Sequence, residues 1–140
     1  MNKQIDFYIL NNEVDRLQFA CQLIEKAYHK RHRLFIQCNN EAETHQMDDK
    51  LWLFKAVSFV PHNIQGEGPT PPPPIQLGNS DHATGFNDIL INLSTEVPIF
   101  HRQFKRIIEI VDQNEDLKKA LREHYRYYQS QGYKINNHKI

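Results

Sequence analysis

The chain has 140 residues, 39% of them hydrophobic, and its seventeen basic residues are balanced by seventeen acidic ones. This length and composition predict one folded domain with a sizeable core and exclude a disordered chain. A net charge of zero gives no global field to hold nucleic acid or an anionic membrane, so strong direct nucleic-acid binding is not expected. The longest apolar-rich stretch, residues 51–61, contains a lysine and is too short to span a bilayer, which predicts a cytoplasmic protein.

The first third of the chain predicts alternating strands and helices. Residues 5–10 (IDFYIL) are rich in strand-forming side chains, and the apolar residues that follow recur with helical spacing. We expect a helix at 13–31, a second strand at 33–38 (RLFIQC) and a second helix from 41 to about 52.

The middle of the chain predicts a short strand followed by a long connection. Residues 56–61 (AVSFVP) suit a third strand. Residues 66–78 hold three of the five glycines and five of the seven prolines, which predicts an extended surface loop. The proline run at 71–74 can attract a proline-reading domain or act as a stiff connector, and PIQLG (74–78) suits a short edge strand.

The last third predicts two strands and a final helix. Residues 88–94 and 106–111 suit strands, and the second of these is apolar enough for the interior of a sheet. Residues 99–106 could add a short helix between them. The final helix is predicted at 114–131, with Gly132 just past its end. The candidate N-caps are Asn39 or Asn40 for the second helix and Asp112 or Asn114 for the last.

Strand, helix and strand in this order indicate a parallel βαβ unit, and no internal repeat is apparent. The chain, residues 1–140, is therefore predicted to be a single α/β domain with a mixed, mainly parallel sheet flanked by helices. Such folds often bind nucleotides, but the turn after the first strand reads LNNEVDR and lacks the glycines of a phosphate-binding loop. Gly66 and Gly68 form only an isolated G-x-G. A nucleotide-dependent enzyme thus remains a weaker alternative.

The sequence gives little support for a catalytic or metal site. His62 and Glu67, within SFVPHNIQGEGP (58–69), could form a general-base pair, but no nucleophile or paired acid accompanies them. A histidine that anchors the loop through backbone hydrogen bonds explains the motif equally. His29 and His32 lie three apart, yet no further residue has the spacing of a zinc ligand. We expect no catalytic residue, no metal and no cofactor.

The two cysteines are predicted to be reduced core residues. Cys21 lies on the apolar stripe of the first predicted helix, and Cys38 ends an apolar strand. Neither belongs to a C-x-x-C pair, so neither has the pattern of a redox or metal motif.

The last predicted helix carries an aromatic residue beside a row of cations. Tyr125 lies at the boundary between an apolar stripe and a polar face that carries Lys118 and Arg122. The stripe is formed by Leu117, Ala120, Leu121, His124 and Tyr128, and the polar face continues with Arg126 and Gln129. This arrangement can bind a short peptide that carries carboxylates and an aromatic end. A solvated basic face near a helix C-terminus explains it equally.

Large aromatic residues cluster around the end of the second predicted helix. Trp52, the single tryptophan, is followed closely by Phe54 and Phe59. Aromatic residues in such a place usually belong to a core, but they also dominate interface hot spots. This cluster is therefore a second candidate interaction surface.

Several segments together resemble the chi subunit family of the bacterial DNA polymerase III holoenzyme, whose members are small accessory proteins of the clamp-loader complex. The matching segments, in order along the chain, are FYIL, LW, SFVPHN, GEGP, DILINLS, IVD and EDLKKALREHYRYYQSQGY. The resemblance implies a fold like that of Rossmann proteins without the phosphate-binding loop. It also implies a non-catalytic subunit that bridges two other proteins.

The resemblance implies a partner for each candidate surface. One surface of the family binds the psi subunit, and Trp52 and Phe59 match its residues. Another surface binds the acidic, phenylalanine-ended C-terminal tail of single-stranded DNA-binding protein, and Lys118, Arg122 and Tyr125 match that site. A helicase-like repair protein uses the psi-side surface in some members, so a repair adaptor is an alternative role.

Overall fold

Parallel strands with helices on both faces make up the computed structural model, which describes residues 3–54 and 60–140. Its elements in chain order are β1 (Gln4–Ile9), α1 (Arg16–His29), β2 (Leu34–Gln37), α2 (Glu41–Leu53), β3 (His62–Ile64), β4 (Ile75–Gly78), β5 (Ile89–Asn92), a 3-10 turn (His101–Gln103), β6 (Arg106–Val111), α3 (Glu115–Ser130) and β7 (Lys134–Lys139). No helix within these described ranges has the length and hydrophobicity needed to cross a membrane.

The strands form one sheet in the order β3-β4-β2-β5-β6-β1-β7. Each pairing among the described strands is parallel. The predicted α/β fold is therefore confirmed, and the described sheet lacks the antiparallel member that a mixed sheet would contain. The long connections that parallel pairing requires are supplied by the helices and by the proline-rich loop.

Each helix packs its apolar side chains against the sheet and exposes its polar side chains to solvent, so each helix covers part of one face of the sheet. On one face α1 and α2 pack over a core that includes Ile24, Met47 and Ile36. On the other face α3 and the 3-10 turn pack over a core that includes Phe35, Phe104 and Tyr128. The sheet thus separates two cores, and α3 lies on the face opposite α1 and α2.

Each helix begins at a side-chain cap that the sequence supplies. Asp15 accepts a hydrogen bond from the Gln18 amide, and Asn40 and Asn114 cap α2 and α3 in the same way. Of the candidate caps, Asn40 and Asn114 are therefore the ones used. Gly132 has a φ of +80° just past the end of α3, as its predicted role requires.

One predicted strand has a different place in the sheet, one strand was not predicted, and most of a third prediction is not tested. Residues 56–59 of the predicted third strand lie outside the described residues, and the observed β3 begins at His62. β4 is buried between β3 and β2 rather than at the edge of the sheet, because its side chains pack under α2. β7 was missed because its sequence, KINNHK, is polar and lacks the alternation of a half-buried strand.

Candidate functional site

A small apolar cavity opens between α3 and the sheet, beside the three residues that the sequence singled out on the last helix. Its volume is about 190 Å³. The cavity is lined by Phe7, Ile9, Val111, Lys118, Leu121, Arg122, Tyr125 and Asn137. We refer to it as the α3 pocket.

Strand register builds the floor of the α3 pocket. Ile9 of β1 lies beside Val111 of β6, and Phe7 lies beside Asn137 of β7. Phe7 and Leu121 are buried in the core on this face of the sheet, so the floor is fixed by packing. Odd-numbered residues of β1 point to this face because side chains alternate along a strand.

Two cations stand at the rim of the α3 pocket. Arg122 is exposed and forms no ion pair with any described residue. Lys118 has only loose polar contacts, with its Nζ 3.3 Å from the Gln113 side-chain oxygen and 3.7 Å from a Glu115 carboxylate oxygen. Because the lining contains no acidic residue, the rim favours an anionic group.

Tyr125 supplies an aromatic wall between the cations and the floor. Its ring centroid lies 5.2 Å from that of Phe7, with the rings tilted by 51°. The side chain is half-buried, so one part of the ring packs and the rest faces the pocket. Lys118, Arg122 and Tyr125 are thus brought together at one pocket, whereas Arg126, on the same polar face, pairs with Glu123 at 2.7 Å outside it.

A buried polar network holds α3 against the sheet beneath the pocket. Glu109 of β6 accepts hydrogen bonds from His124, Tyr128 and Asn92 at 3.2, 2.6 and 2.9 Å. The other ring nitrogen of His124 lies 2.9 Å from the Thr95 carbonyl oxygen. Burial opposes a charge on His124, but the hydrogen bond and charge of Glu109 outweigh it and raise the pKa of the imidazole above its ordinary value. Burial, together with Glu109, likewise raises the pKa of Tyr128.

The second candidate surface lies at the end of α2, near the opposite edge of the sheet. Trp52 is 57% exposed, and its ring centroid lies 4.8 Å from that of His62 in β3. Leu53 is also exposed, whereas Phe54 is buried in the core. Phe59, the other residue assigned to this surface, lies outside the described residues. The apolar side chains of Trp52 and Leu53 thus present a patch suited to a protein partner.

The position where a Rossmann-like fold would hold a nucleotide contains a cavity of about 740 Å³. The Arg16 side chain lies in its lining and donates from Nε to the Ile110 carbonyl oxygen at 2.8 Å. Burial lowers the pKa of this guanidinium. The Arg16 guanidinium is therefore held by a backbone carbonyl group of β6. The turn that precedes Arg16 lacks the glycines that would let backbone amides approach a phosphate.

The glycine-rich motif after β3 has a structural explanation. Gly66 and Gly68 have φ values of +88° and +83°, which only glycine adopts easily. Asn63 donates to the Glu67 carbonyl oxygen across this turn at 2.6 Å. His62 anchors the start of β3 through Nδ1, 2.7 Å from the Val60 carbonyl oxygen. No hydrogen bond or ion pair joins His62 to Glu67 in the described structure.

The remaining sequence-based candidates are also structural. Cys21 and Cys38 are buried free thiols, and burial raises their pKa values to about 11 and about 12. Within residues 3–54 and 60–140, no group of three or more histidine, cysteine, aspartate or glutamate side chains could hold a metal ion.

Comparison of the sequence with known proteins assigns the chain to a family. Residues 1–136 match the family described as DNA polymerase III chi subunit, HolC. The chain belongs to the DNA polymerase III chi subunit family. Proteins named DNA polymerase III subunit chi from Pseudomonas aeruginosa, Escherichia coli and Haemophilus influenzae are each 33% identical to it. These alignments cover 98%, 96% and 100% of this chain and 96%, 96% and 99% of the respective relatives.

Sequence reasoning about this chi family chain missed the floor and far wall of the α3 pocket. Phe7, Ile9 and Val111 were assigned to strands without a site, although the alternation of β1 could have placed Phe7 and Ile9 on one face. Asn137 could not be found because β7 was not predicted. Both gaps arise because register between strands distant in sequence decides which side chains meet.

Proposed function

We propose that this chain is a non-catalytic subunit of the DNA polymerase III clamp-loader complex that bridges the psi subunit to the C-terminal tail of single-stranded DNA-binding protein. The proposal rests chiefly on the α3 pocket, where Lys118, Arg122 and Tyr125 surround an apolar floor. Membership of the chi family supports the assignment to the polymerase. Such a bridge works in the cytoplasm.

The α3 pocket suits a peptide that ends in an acidic stretch and a phenylalanine. Its volume of about 190 Å³ admits one large side chain and lies below the ~300 Å³ typical of the smallest drug-sized sites. The terminal aromatic ring would enter between Tyr125 and the floor. Arg122 would then meet carboxylates of the peptide, and Lys118 would add charge, so binding weakens as salt rises.

The psi subunit would bind at the opposite edge of the sheet. Trp52 packs on His62 of β3, whereas the α3 pocket is built on β1. Five strand intervals separate β3 from β1, which corresponds to roughly 24 Å at ~4.8 Å per interval. The two surfaces are therefore separate, as a bridge requires.

The direct test is fluorescence anisotropy of a labelled acidic peptide that ends in phenylalanine. We expect saturable binding at low salt, and about tenfold or greater weakening in Arg122→Ala, because a hydrogen bond to a charged group contributes roughly 1.5–3 kcal/mol. Arg126→Ala is the matched control, since Arg126 lies on the same helix and outside the pocket.

Two outcomes would count against the tail assignment. One is equal affinity of the wild-type chain and Arg122→Ala for the peptide. The other is unchanged affinity for a peptide that retains the acidic residues but lacks the terminal phenylalanine, since the apolar floor would then bind nothing.

A further inference from the structure

A concentration of basic residues surrounds the end of α1, although the chain as a whole is neutral. Residues 26–33 read KAYHKRHR and contain four cations, two histidines and no acidic residue. This segment takes no part in the α3 pocket or in the surface around Trp52. Its helical part, residues 26–29, packs on the face of the sheet opposite α3, whereas Arg33 turns to the other face and lies 4.4 Å from the ring centroid of Phe86.

Two adjoining cavities share His32 at this end of α1. The first, of about 180 Å³, is lined by Tyr8, Leu23, Lys26, Ala27, Lys30, His32, Arg106 and Ile108. The second, of about 380 Å³, is lined by Tyr28, His29, Arg31, His32 and Pro74. We call the pair of cavities the α1 groove.

The charges of the first cavity are only partly neutralised. Arg106 binds the buried carboxylate of Asp6 at 2.6 Å, and Asp6 also lies 2.9 Å from His138. Burial alone would raise the pKa of Asp6, but the hydrogen bonds from His138 and Arg106 outweigh it and hold the pKa below its ordinary value. Lys26 lies in the last turn of α1 and Lys30 directly follows the helix, and neither forms an ion pair with any described residue. The first cavity therefore keeps two unpaired ammonium groups, whereas its Arg106 is paired with Asp6 and its His32 lies 2.9 Å from the Asp88 carboxylate.

The helix dipole does not account for the whole arrangement. Cations in the last turn of a helix are favoured, which explains Lys26 without a ligand. Arg31 follows the helix with a φ of +65° because it closes the last turn, where its amide donates to the Tyr28 carbonyl oxygen and the His32 amide donates to that of Ala27. Arg106 comes from a different element, β6, and points to the same cavity.

The second cavity adds an aromatic surface to the cations. Tyr28 is half-buried, and its ring centroid lies 5.5 Å from that of His29. Pro74 also lines this cavity. An aromatic and apolar slot directly beside a cationic cavity matches the repeating unit of a single nucleic-acid strand, where each base adjoins a phosphate.

We propose that the α1 groove binds single-stranded DNA, with a phosphate beside Lys26, Lys30 and Arg106 and the neighbouring base against Tyr28. The contact is local and salt-sensitive, as the zero net charge of the chain requires. It is independent of the bridging function, because the α3 pocket lies on the other face of the sheet.

The test is fluorescence anisotropy of a short labelled oligothymidylate with the full chain, over a series of salt concentrations. The variant Lys26→Glu with Lys30→Glu should weaken binding at least tenfold. It should also reduce the slope of log affinity against log salt by about 0.7, because the two lysines share one phosphate and each phosphate contact on a single strand contributes about 0.7. The control, Lys119→Glu with Arg126→Glu, makes the same charge change on α3 and should stay within about twofold of wild type.

The aromatic slot has its own test. Tyr28→Leu should weaken binding of oligothymidylate by about tenfold, as loss of one base stack does. An abasic deoxyribose-phosphate strand of the same length should bind the wild-type chain correspondingly weakly, which checks the slot without a change to the protein.

Three results would overturn the proposal. The first is no saturable binding of oligothymidylate at low salt, and the second is equal loss in the α1 and α3 charge variants. The third is equal binding of oligothymidylate, the abasic strand and a polyglutamate peptide of matched charge, which would identify the groove as a general site for acidic chains.

Discussion

The buried ionic cluster around Glu109 decides how α3 lies on the sheet. Both ring nitrogens of His124 face acceptors, the Glu109 carboxylate and the Thr95 carbonyl oxygen. Only the doubly protonated imidazole donates to both, which agrees with the raised pKa of His124. A charge in this position is stable because its partner is buried with it. The sequence placed His124 on the buried stripe but gave no sign of this partner.

Stability should depend on pH through His124. A histidine whose pKa in the folded state exceeds its ordinary 6.5 contributes stability fully below that value, and the contribution is lost as pH rises through the folded-state pKa. We expect the free energy of unfolding of the wild-type chain to fall as the pH rises above about 6.5 and through the raised folded-state pKa of His124. In His124→Gln the free energy of unfolding should fall less steeply with pH, because the histidine that loses its charge is absent. Urea denaturation of both proteins across the range measures it.

The titration of His101 does not affect the comparison of wild type with His124→Gln. Burial, with nearby Arg102 and Lys3, lowers the pKa of His101 to about 4, so its effect on stability lies at acidic pH and is the same in both proteins. If His124→Gln shows the same decline above pH ~6.5 as the wild type, the charged state assigned to His124 is wrong.

At the scale of elements, α3 is the best-specified helix of the chain. Asn114 caps its N-terminus, Glu115 and Asp116 lie in its first turn, and Gly132 lies just past its end. These features are local, so the predicted bounds of 114–131 lie close to the observed ones. The cap matters for the site because Lys118 and Arg122 lie in the first two turns, where fraying would move them.

Removal of the α3 cap should destabilise the chain. Asn114→Ala leaves the Leu117 amide without its acceptor at 3.0 Å and should cost about 1 kcal/mol. Asn114→Ser should retain most of the stability, because serine caps nearly as well. Lys119→Ala, on the exposed face of α3, is the control and should lie within about 0.5 kcal/mol of wild type. Urea denaturation reports all three, and equal stability of Asn114→Ala and wild type would exclude the capping role.

At the scale of the whole molecule, the sheet acts as a rigid spacer between the proposed binding surfaces. The α3 pocket lies on the β1 side of the sheet, and Trp52, at the end of α2, lies on the β3 side. Packed parallel strands do not deform easily, so occupation of one surface should leave the other unchanged. Independence of the two sites is therefore a property of the fold.

Substitutions at the two surfaces should separate the two partners. Trp52→Ala should weaken capture of purified psi subunit about tenfold, since an exposed aromatic side chain that becomes buried in an interface is a typical hot spot, and should leave affinity for the acidic peptide unchanged. Arg122→Ala should do the opposite. Psi pull-down and peptide anisotropy on the same proteins measure both effects.

A matched control for Trp52 is Ile99→Ala. Ile99 is 78% exposed, but it follows β5 at the other end of the strands from the end of α2. If psi is captured equally by wild type and Trp52→Ala, or is lost equally with Ile99→Ala, the proposed psi surface is wrong. Phe59 remains a prediction for the same surface.

The sequence by itself determined the features that depend on neighbouring residues. Helical periodicity and side-chain caps gave α1, α2 and α3, and apolar runs gave β1, β2, β5 and β6. The spacing on α3 also placed Lys118, Arg122 and Tyr125 near one another, because they lie within two turns of one helix.

Only the tertiary structure decided the features that depend on contacts between distant segments. β7 is polar, and its place beside β1 is fixed by parallel pairing, which no local pattern announces. The same pairing brings Asn137 beside Phe7 and completes the α3 pocket. Arg106 likewise meets Lys26 and Lys30 only because β6 passes beneath α1. The sequence specifies the residues of each site, and the order of strands in the sheet decides which of them meet.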